Sequence, residues 1–282
     1  MNPFKKYITN YKKASDIINY FKSKDLSDEE KKWLQYLKKN RYFFNNNKFR
    51  FQSSIVDKYS RKSVPVCKDM SNQLYYILHK GKKLYWPRFM NKKNVLDSYR
   101  VLLIEQDPHS PHLYWHNTES IFKNKSLFDI GSAEGLIALE HIDDLKHVYL
   151  FECEDMWVEA LRETFKPFSD KTTIVEKYVS DVTNSDDNTI TINDFTKQHN
   201  VVPDYIKMDI EGFEEKALEG GKETLKNNNI HLAVCLYHTP DAEKNITTFL
   251  KELNYNCEIS EGCIINDEIP PYFRHGVVRA HK

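Results

Sequence analysis

From about residue 125 onward, short apolar runs alternate with stretches whose apolar positions recur every three to four residues. SLFDIG is followed by AEGLIALEHI, HVYLFE by DMWVEALRETF, PDYIKMDI by GFEEKALEGGKETL, and IHLAVCLYH by DAEKNITTFLKEL, with TTIVEKYV between them. A run that is apolar at every position is a strand buried on both faces, whereas recurrence at three and four is one side of a helix. Strand and helix in alternation predict an α/β unit around a mostly parallel sheet, with 272–280 as a candidate closing strand.

The first third of the chain has a different texture. Phe4, Tyr7, Ile8, Tyr11, Ile17, Ile18 and Phe21 fall at near-helical spacing and predict a helix over 4–23. Ser27 followed by Glu30 is a capping box opening a second helix to about residue 39, with Trp33, Leu34 and Leu37 on one side. Two aromatic runs, one broken at Asn45, Asn46 and Asn47 and the other at Lys80 and Gly81, predict hairpins, and a further helix is expected over 92–104. The 282 residues fit one main domain plus an elaboration. The chain therefore divides into a helical and hairpin extension (1–95), a candidate acceptor-binding region, and a main α/β domain (96–282).

Composition narrows the class. Apolar residues make up 40% and aromatics 13% of the chain, enough for a sizeable core and unlike a disordered polymer. No run approaches the roughly 18 uncharged apolar residues of a membrane span, and the start has no apolar secretory segment, so a cytoplasmic protein is expected. Five cysteines, odd in number and without a C-x-x-C pair, indicate neither a disulfide framework nor a zinc knuckle. Basic and acidic residues both total 41, yet residues 1–100 carry 24 basic and 8 acidic side chains. That excess is either a solvated face attracted to the acidic remainder or a region that helps hold an anionic acceptor.

Candidate chemistry gathers at two strand ends. Asp129-Ile130-Gly131-Ser132-Ala133-Glu134-Gly135 is a glycine turn between a strand and a helix, and Glu152 ends the next strand. An acid at that distance suits the two hydroxyls of a ribose. The layout serves a dinucleotide or S-adenosylmethionine, but Glu134 would repel a pyrophosphate, which favours the sulfonium compound over NAD. Farther on, Asp209 and Glu211 follow a strand and sit at the same sheet edge, placed to grip a cation, orient an acceptor hydroxyl or act as a base.

These stretches, LFDIGSAEG, VYLFECED, YVSD, TITINDF, DYIKMDIEGFEEKALEGG and LAVCLYH, together resemble the FkbM family of S-adenosylmethionine-dependent methyltransferases over roughly residues 100–260. EQDPHSPHLYWH, just upstream, resembles the segment that precedes the cofactor loop in one branch of the family. Ala133 stands where many class I methyltransferases have a second glycine. The resemblance implies a class I methyltransferase fold, a Rossmann-like seven-stranded sheet with one antiparallel strand. It implies that Asp129, Gly131, Ser132, Glu134 and Gly135 serve the methionine side of the cofactor, Glu152 the ribose and Asp181 the adenine amine.

Methylation of an alcohol needs a positioned nucleophile and a base or a metal to take up its proton. His238, ending the strand LAVCLYH, is the leading base, with Asp209 and Glu211 orienting the acceptor. The same three residues offer donors for Mg²⁺ or Mn²⁺, but an obligatory metal is not favoured. Candidate acceptor contacts are His109, Ser110 and His112, in a loop stiffened by Pro108 and Pro111, and Arg274 for an anionic group. The expected activity is O-methylation of a saccharide, a nucleotide-sugar or another precursor of a surface polysaccharide such as a capsule. An RNA methyltransferase and an NAD-dependent oxidoreductase are the alternatives; neither a nucleic-acid partner nor a membrane span is favoured.

Overall fold

The computed structural model describes residues 3–40, 53–60, 62–116, 120–266 and 269–282. At the start, α1 (Pro3–Tyr20) and α2 (Asp28–Asn40) pack against each other. The capping box forms: the Glu30 N–H donates to Ser27 Oγ at 3.2 Å, and the Ser27 N–H donates to Glu30 Oε2 at 2.8 Å. Trp33, Leu34 and Leu37 are buried with Ala14, Ile17 and Phe21. α3 (Ser53–Ser60) follows, and the hairpin expected around Asn45, Asn46 and Asn47 lies outside the described residues. β1 (Val66–Lys68), β2 (Tyr75–His79) and β3 (Lys82–Tyr85) form a three-stranded antiparallel sheet. Its hairpin turns through Lys80 at φ +47° and Gly81 at φ +84°, the left-handed pair that matches strand twist. α4 (Lys92–Glu105) begins at Asn91, whose side chain accepts the N–H groups of Lys93 and Asn94.

The alternation then runs as β4 (Ser126–Ile130), α5 (Leu136–His141), β5 (His147–Phe151), α6 (Asp155–Phe165), β6 (Thr172–Val175), β7 (Tyr178–Val179), β8 (Thr189–Ile190), α7 (Ile192–His199) and β9 (Tyr205–Met208). After these come α8 (Glu214–Gly220), α9 (Lys222–Asn227), β10 (His231–Cys235), α10 (Ala242–Glu252), β11 (Asn256–Ile259), β12 (Ile264–Ile265), β13 (Phe273–Arg274) and β14 (Val277–His281). Seven strands pair in the order β11-β14-β10-β9-β4-β5-β6, and β14 alone runs antiparallel to its neighbours. This is the mixed, mostly parallel sheet flanked by helices that the sequence implies. Two runs divide more finely than expected. TTIVEKYV supplies β6 and then β7, which pairs with β8 outside the main sheet, and 272–280 contains both β13 and most of β14.

The continuous apolar runs are explained by burial on both faces. Alternate residues of one strand enter opposite cores: Phe128, Ile130, Ile206, Met208, Leu232 and Val234 on one side, Leu127, Tyr205, Ala233 and Cys235 on the other. The second core also holds Ile77, Leu84 and Trp86, so the small sheet shares its interior with the large one, and the expected 95/96 boundary falls inside α4. α1 and α2 close over the β12–β13 hairpin, where Phe21 stacks on Phe273 at 4.4 Å. Among the described residues no helix is long and apolar enough to cross a membrane.

Candidate active site

The strand order reverses between β4 and β9, and a crevice opens beyond their carboxyl ends, where open α/β sheets bind ligands. Gly131 makes that crevice possible. At φ +75° it turns the chain so tightly that a β-carbon would lie 2.0 Å from the Asp209 carbonyl oxygen. Beside it is a cleft of about 670 Å³, walled by Gly131 and Ala133 from the loop, Glu152 beyond β5, Ser180 beyond β7, and Asp209 and Glu211 beyond β9. Glu152 holds the loop in shape: Oε2 accepts the Ala133 N–H and Oε1 the Glu154 N–H, both at 2.9 Å. Each oxygen keeps a second lone pair for a hydroxyl.

The remaining loop residues support the cleft rather than wall it. Ser132 donates to the Asp129 carbonyl at 2.7 Å, and Gly135, at φ +75°, lies flush against Phe165. Glu134 is buried, and burial pushes its carboxyl up to about 8. Asp129 is buried against Lys207, its register partner on β9, at 3.1 Å. Lys207 pairs across its other side with Ala233, whose small side chain leaves room for the lysine, and also donates to the Gly131 carbonyl. Asp181 is exposed and off the cleft wall, accepting a hydrogen bond from its neighbour Ser180 at 2.9 Å.

Asp209, Glu211 and His238 converge as the sequence implied. His238 Nε2 lies 3.4 Å from Asp209 Oδ1 and 3.5 Å from Glu211 Oε2, while Nδ1 is 2.8 Å from Glu214 Oε1. Asp209 also accepts from the Tyr114 hydroxyl at 2.8 Å and the Tyr237 hydroxyl at 3.4 Å. His112 faces the same carboxylate at 3.6 Å and meets the Tyr237 hydroxyl at 3.2 Å. Burial opposes charge on Asp209, but the adjacent His112 ring and the charges of Lys207 and His238 outweigh it and hold the carboxyl far below its usual range. It therefore remains an anion. Burial likewise pushes the Tyr114 and Tyr237 phenols well above 10, so both stay donors.

The other loop candidates part company. His112 reaches the cluster because its loop passes against Gly276, just before β14, where a β-carbon would lie 2.0 Å from the Pro111 carbonyl oxygen. Ser110 is buried in the turn and accepts the His112 N–H at 3.2 Å. His109 points outward, its side chain 85% exposed. Asp107 ties the loop to α3 through Lys58 at 2.6 Å and Tyr59 at 2.8 Å. Arg274, expected to meet an anionic acceptor, is 5% exposed and occupied elsewhere. Its guanidinium donates to the carbonyls of Tyr237, His238, Ile269 and Pro271, clamping the strand end that carries His238.

Among the residues of this cluster, Lys207, Glu214, Tyr237 and Tyr114 are not singled out by the sequence. Lys207 was visible as a lone cation inside an apolar strand, a costly placement without a buried partner. Glu214 and Tyr237 neighbour the motifs, but nothing in their spacing separates them from solvated or core positions.

The donors suit a neutral-to-cationic nucleoside better than a dinucleotide. The Ala133 N–H that a pyrophosphate would seek already donates to Glu152, and α5 has only six residues. Among the described residues, two groups of possible metal donors share Asp209, one with His112 and Cys235 and the other with Glu214 and His238. Asp209 and Glu214 are already hydrogen-bonded within the protein, and the charge of Lys207 acts on Asp209, so neither group is assigned to a metal.

Residues 77–257, more than half of the chain, match the family model described as the methyltransferase FkbM domain. None of the curated proteins compared matches significantly. Among solved structures, the chain is similar to the methyltransferase FkbM from Methylobacillus flagellatus KT (16% identity, TM-score 0.47), with 69% of this chain and 56% of that one covered. It thus spans little more than half the length of that relative. Trm5b from Pyrococcus abyssi is similar at 12% identity and a TM-score of 0.43, covering 74% of this chain and 55% of that one. The magnesium protoporphyrin IX methyltransferase of Synechocystis PCC 6803, solved with bound SAM, is similar at 10% identity and a TM-score of 0.39, covering 57% and 72%. On the extent of the match over residues 77–257, the chain belongs to the FkbM family of methyltransferases.

Proposed function

We propose that the protein methylates a hydroxyl oxygen of a small acceptor, using S-adenosylmethionine as donor. The observation that carries this reading is the continuous cleft wall from Glu152 to Asp209 and Glu211, with His238 directly behind the two carboxylates. The donor supplies a methyl already activated on a sulfonium, so the protein's tasks are to align the nucleophile and to accept its proton. Glu152 is suited to the ribose hydroxyls, and Asp181, next to the cleft residue Ser180, is the candidate for the adenine amine. Gly131 and Ala133 bring backbone close to the methionine side, backed by Asp129, Ser132, Glu134 and Gly135. Asp209, a fixed anion, and Glu211, at the mouth, orient the acceptor while His238 takes the proton. No metal is assigned to this step.

For the acceptor we propose a saccharide, a nucleotide-sugar or another precursor of a surface polysaccharide. An anionic portion would find its countercharge in exposed lysines of segment 1–95, because Arg274 is committed to carbonyl groups. Among the described residues no cysteine forms a disulfide, which supports placing the reaction in the cytoplasm. The test is mass spectrometry of glycan and nucleotide-sugar pools incubated with donor and protein. A product heavier by one methylene, formed by the wild type and lost in His238→Gln, supports the reading. Methylation confined to RNA would overturn the choice of acceptor.

A further inference from the structure

One buried carboxylate ties the two halves of the cluster together. Glu214, the first residue of α8, is 2% exposed. Its Oε1 accepts the Ile210 N–H at 3.0 Å and faces His238 Nδ1 at 2.8 Å. The first contact closes the turn that carries Asp209 and Glu211, in which Glu211 and Gly212 sit at φ +54° and +100°. The second fixes the imidazole. An ionised carboxylate only accepts, so the hydrogen of this bond belongs to Nδ1, and the neutral ring keeps its lone pair on Nε2. Nε2 is buried and has no hydrogen-bond partner among the described residues. Its nearest polar neighbours are the carboxylates of Asp209 and Glu211, and a lone pair buried against two acceptors is unfavourable until a proton comes between them. An acceptor hydroxyl brings that proton. Glu211, whose side chain is 90% exposed, has room to turn aside and admit it.

We propose that Glu214 is a positioning residue for methyl transfer, setting the tautomer and orientation of His238 so that Nε2 receives the acceptor's proton, and holding the Asp209–Glu211 turn in register with it. The proposal rests on the reading of His238 as the base. In the step, the acceptor oxygen gives its proton to Nε2 and an electron pair to the methyl carbon. The carbon–sulfur bond breaks with its electrons going to sulfur, and the positive charge passes from sulfur to the imidazolium. The ring's surroundings suit this role. Asp209 and Glu211 face it from the turn after β9 and Glu214 from α8, and the Tyr237 ring lies 4.2 Å away. Arg274 holds the His238 carbonyl. Burial works against protonation, but the hydrogen bond to Glu214 and the charges of Asp209, Glu214 and Glu211 outweigh it, leaving the pKa above the ordinary 6.5.

The test uses the full chain as wild type, Glu214→Gln, Glu214→Asp and His238→Gln. Nitrogen NMR of the His238 ring needs no acceptor, and the pH profile of methyl transfer and the affinity for S-adenosylhomocysteine complete the set. The wild-type ring is expected to be protonated on Nδ1 when neutral. In Glu214→Gln, the His238 pKa and the acid limb of the profile should fall by about one unit, and kcat by about 100-fold, with donor affinity retained. Glu214→Asp should recover part of both. A neutral wild-type ring protonated on Nε2 overturns the proposal even if Glu214→Gln does not fold. An unchanged ring pKa and pH profile in Glu214→Gln, with His238→Gln inactive, removes Glu214 alone. Full kcat in His238→Gln removes the base itself, and the proposal with it.

Discussion

Gly131 and Asp209 meet backbone to backbone, with no room for a side chain between the loop after β4 and the turn after β9. Gly131→Ala has to push these segments apart while adopting φ +75°, a conformation that costs an L-residue roughly 1–2 kcal/mol by itself. With the clash included, a loss of about 2–4 kcal/mol is expected in denaturant unfolding. Calorimetry should show weaker binding of S-adenosylhomocysteine, because both walls of the cleft move together.

His238→Gln should leave donor binding intact and lower kcat on the order of 10²–10⁴-fold, the usual contribution of a general base. The wild-type rate should also climb with pH. As the proposed base, His238 works only as the neutral ring, and its carboxylate neighbours raise its pKa above 6.5, so activity should be low in acid and rise through that pKa. A profile flat from pH 5 to 9 would deny His238 the role.

Arg274 fixes the strand end that bears His238 by donating to four carbonyl groups. Arg274→Met leaves buried acceptors without donors, at about 1–3 kcal/mol for each group that cannot relax. A Tm below that of the wild type and a reduced kcat are expected together, with donor affinity nearly unchanged. An acceptor KM that rises while stability stays constant would instead return Arg274 to the acceptor site.

Much of this architecture was legible in the chain, for identifiable reasons. Strands buried on both faces must be apolar throughout, so SLFDIG and IHLAVCLYH read as strands, although β10 ends at Cys235, three residues short of His238. Ser27 and Glu30 announced a helix start because both halves of a capping box are local. The roles of single charged residues were less legible. Arg274 and Lys207 are both cations near the site, and only the tertiary packing shows that one clamps carbonyls while the other neutralises Asp129. Glu214 lies three residues after Glu211 on a similar acidic stretch. What distinguishes them is that α8 turns Glu214 inward to His238 and leaves Glu211 in solvent, a contact between segments 24 residues apart.

Glu134 provides a test of burial. Its carboxyl is pushed from 4.5 to about 8 because the charged form is desolvated. Below pH 4.5 both folded and unfolded chains hold this proton, and there is no effect. Above it the unfolded chain releases the proton while the folded one retains it, so stability should decline as pH rises toward 8, by about 3 kcal/mol at pH 7. Glu134→Gln removes the decline. Urea unfolding from pH 5 to 8 should show the variant overtaking the wild type as pH increases; parallel curves would mean that Glu134 is solvated.

A sulfonium nucleoside seated in the crevice at the β4–β9 switch point should be detected by equilibrium dialysis of the protein with labelled S-adenosylhomocysteine, repeated with excess NAD and with Glu152→Ala. Retention of the label that NAD does not displace and that Glu152→Ala abolishes is the expected result. Free passage of S-adenosylhomocysteine with retention of NAD would contradict it.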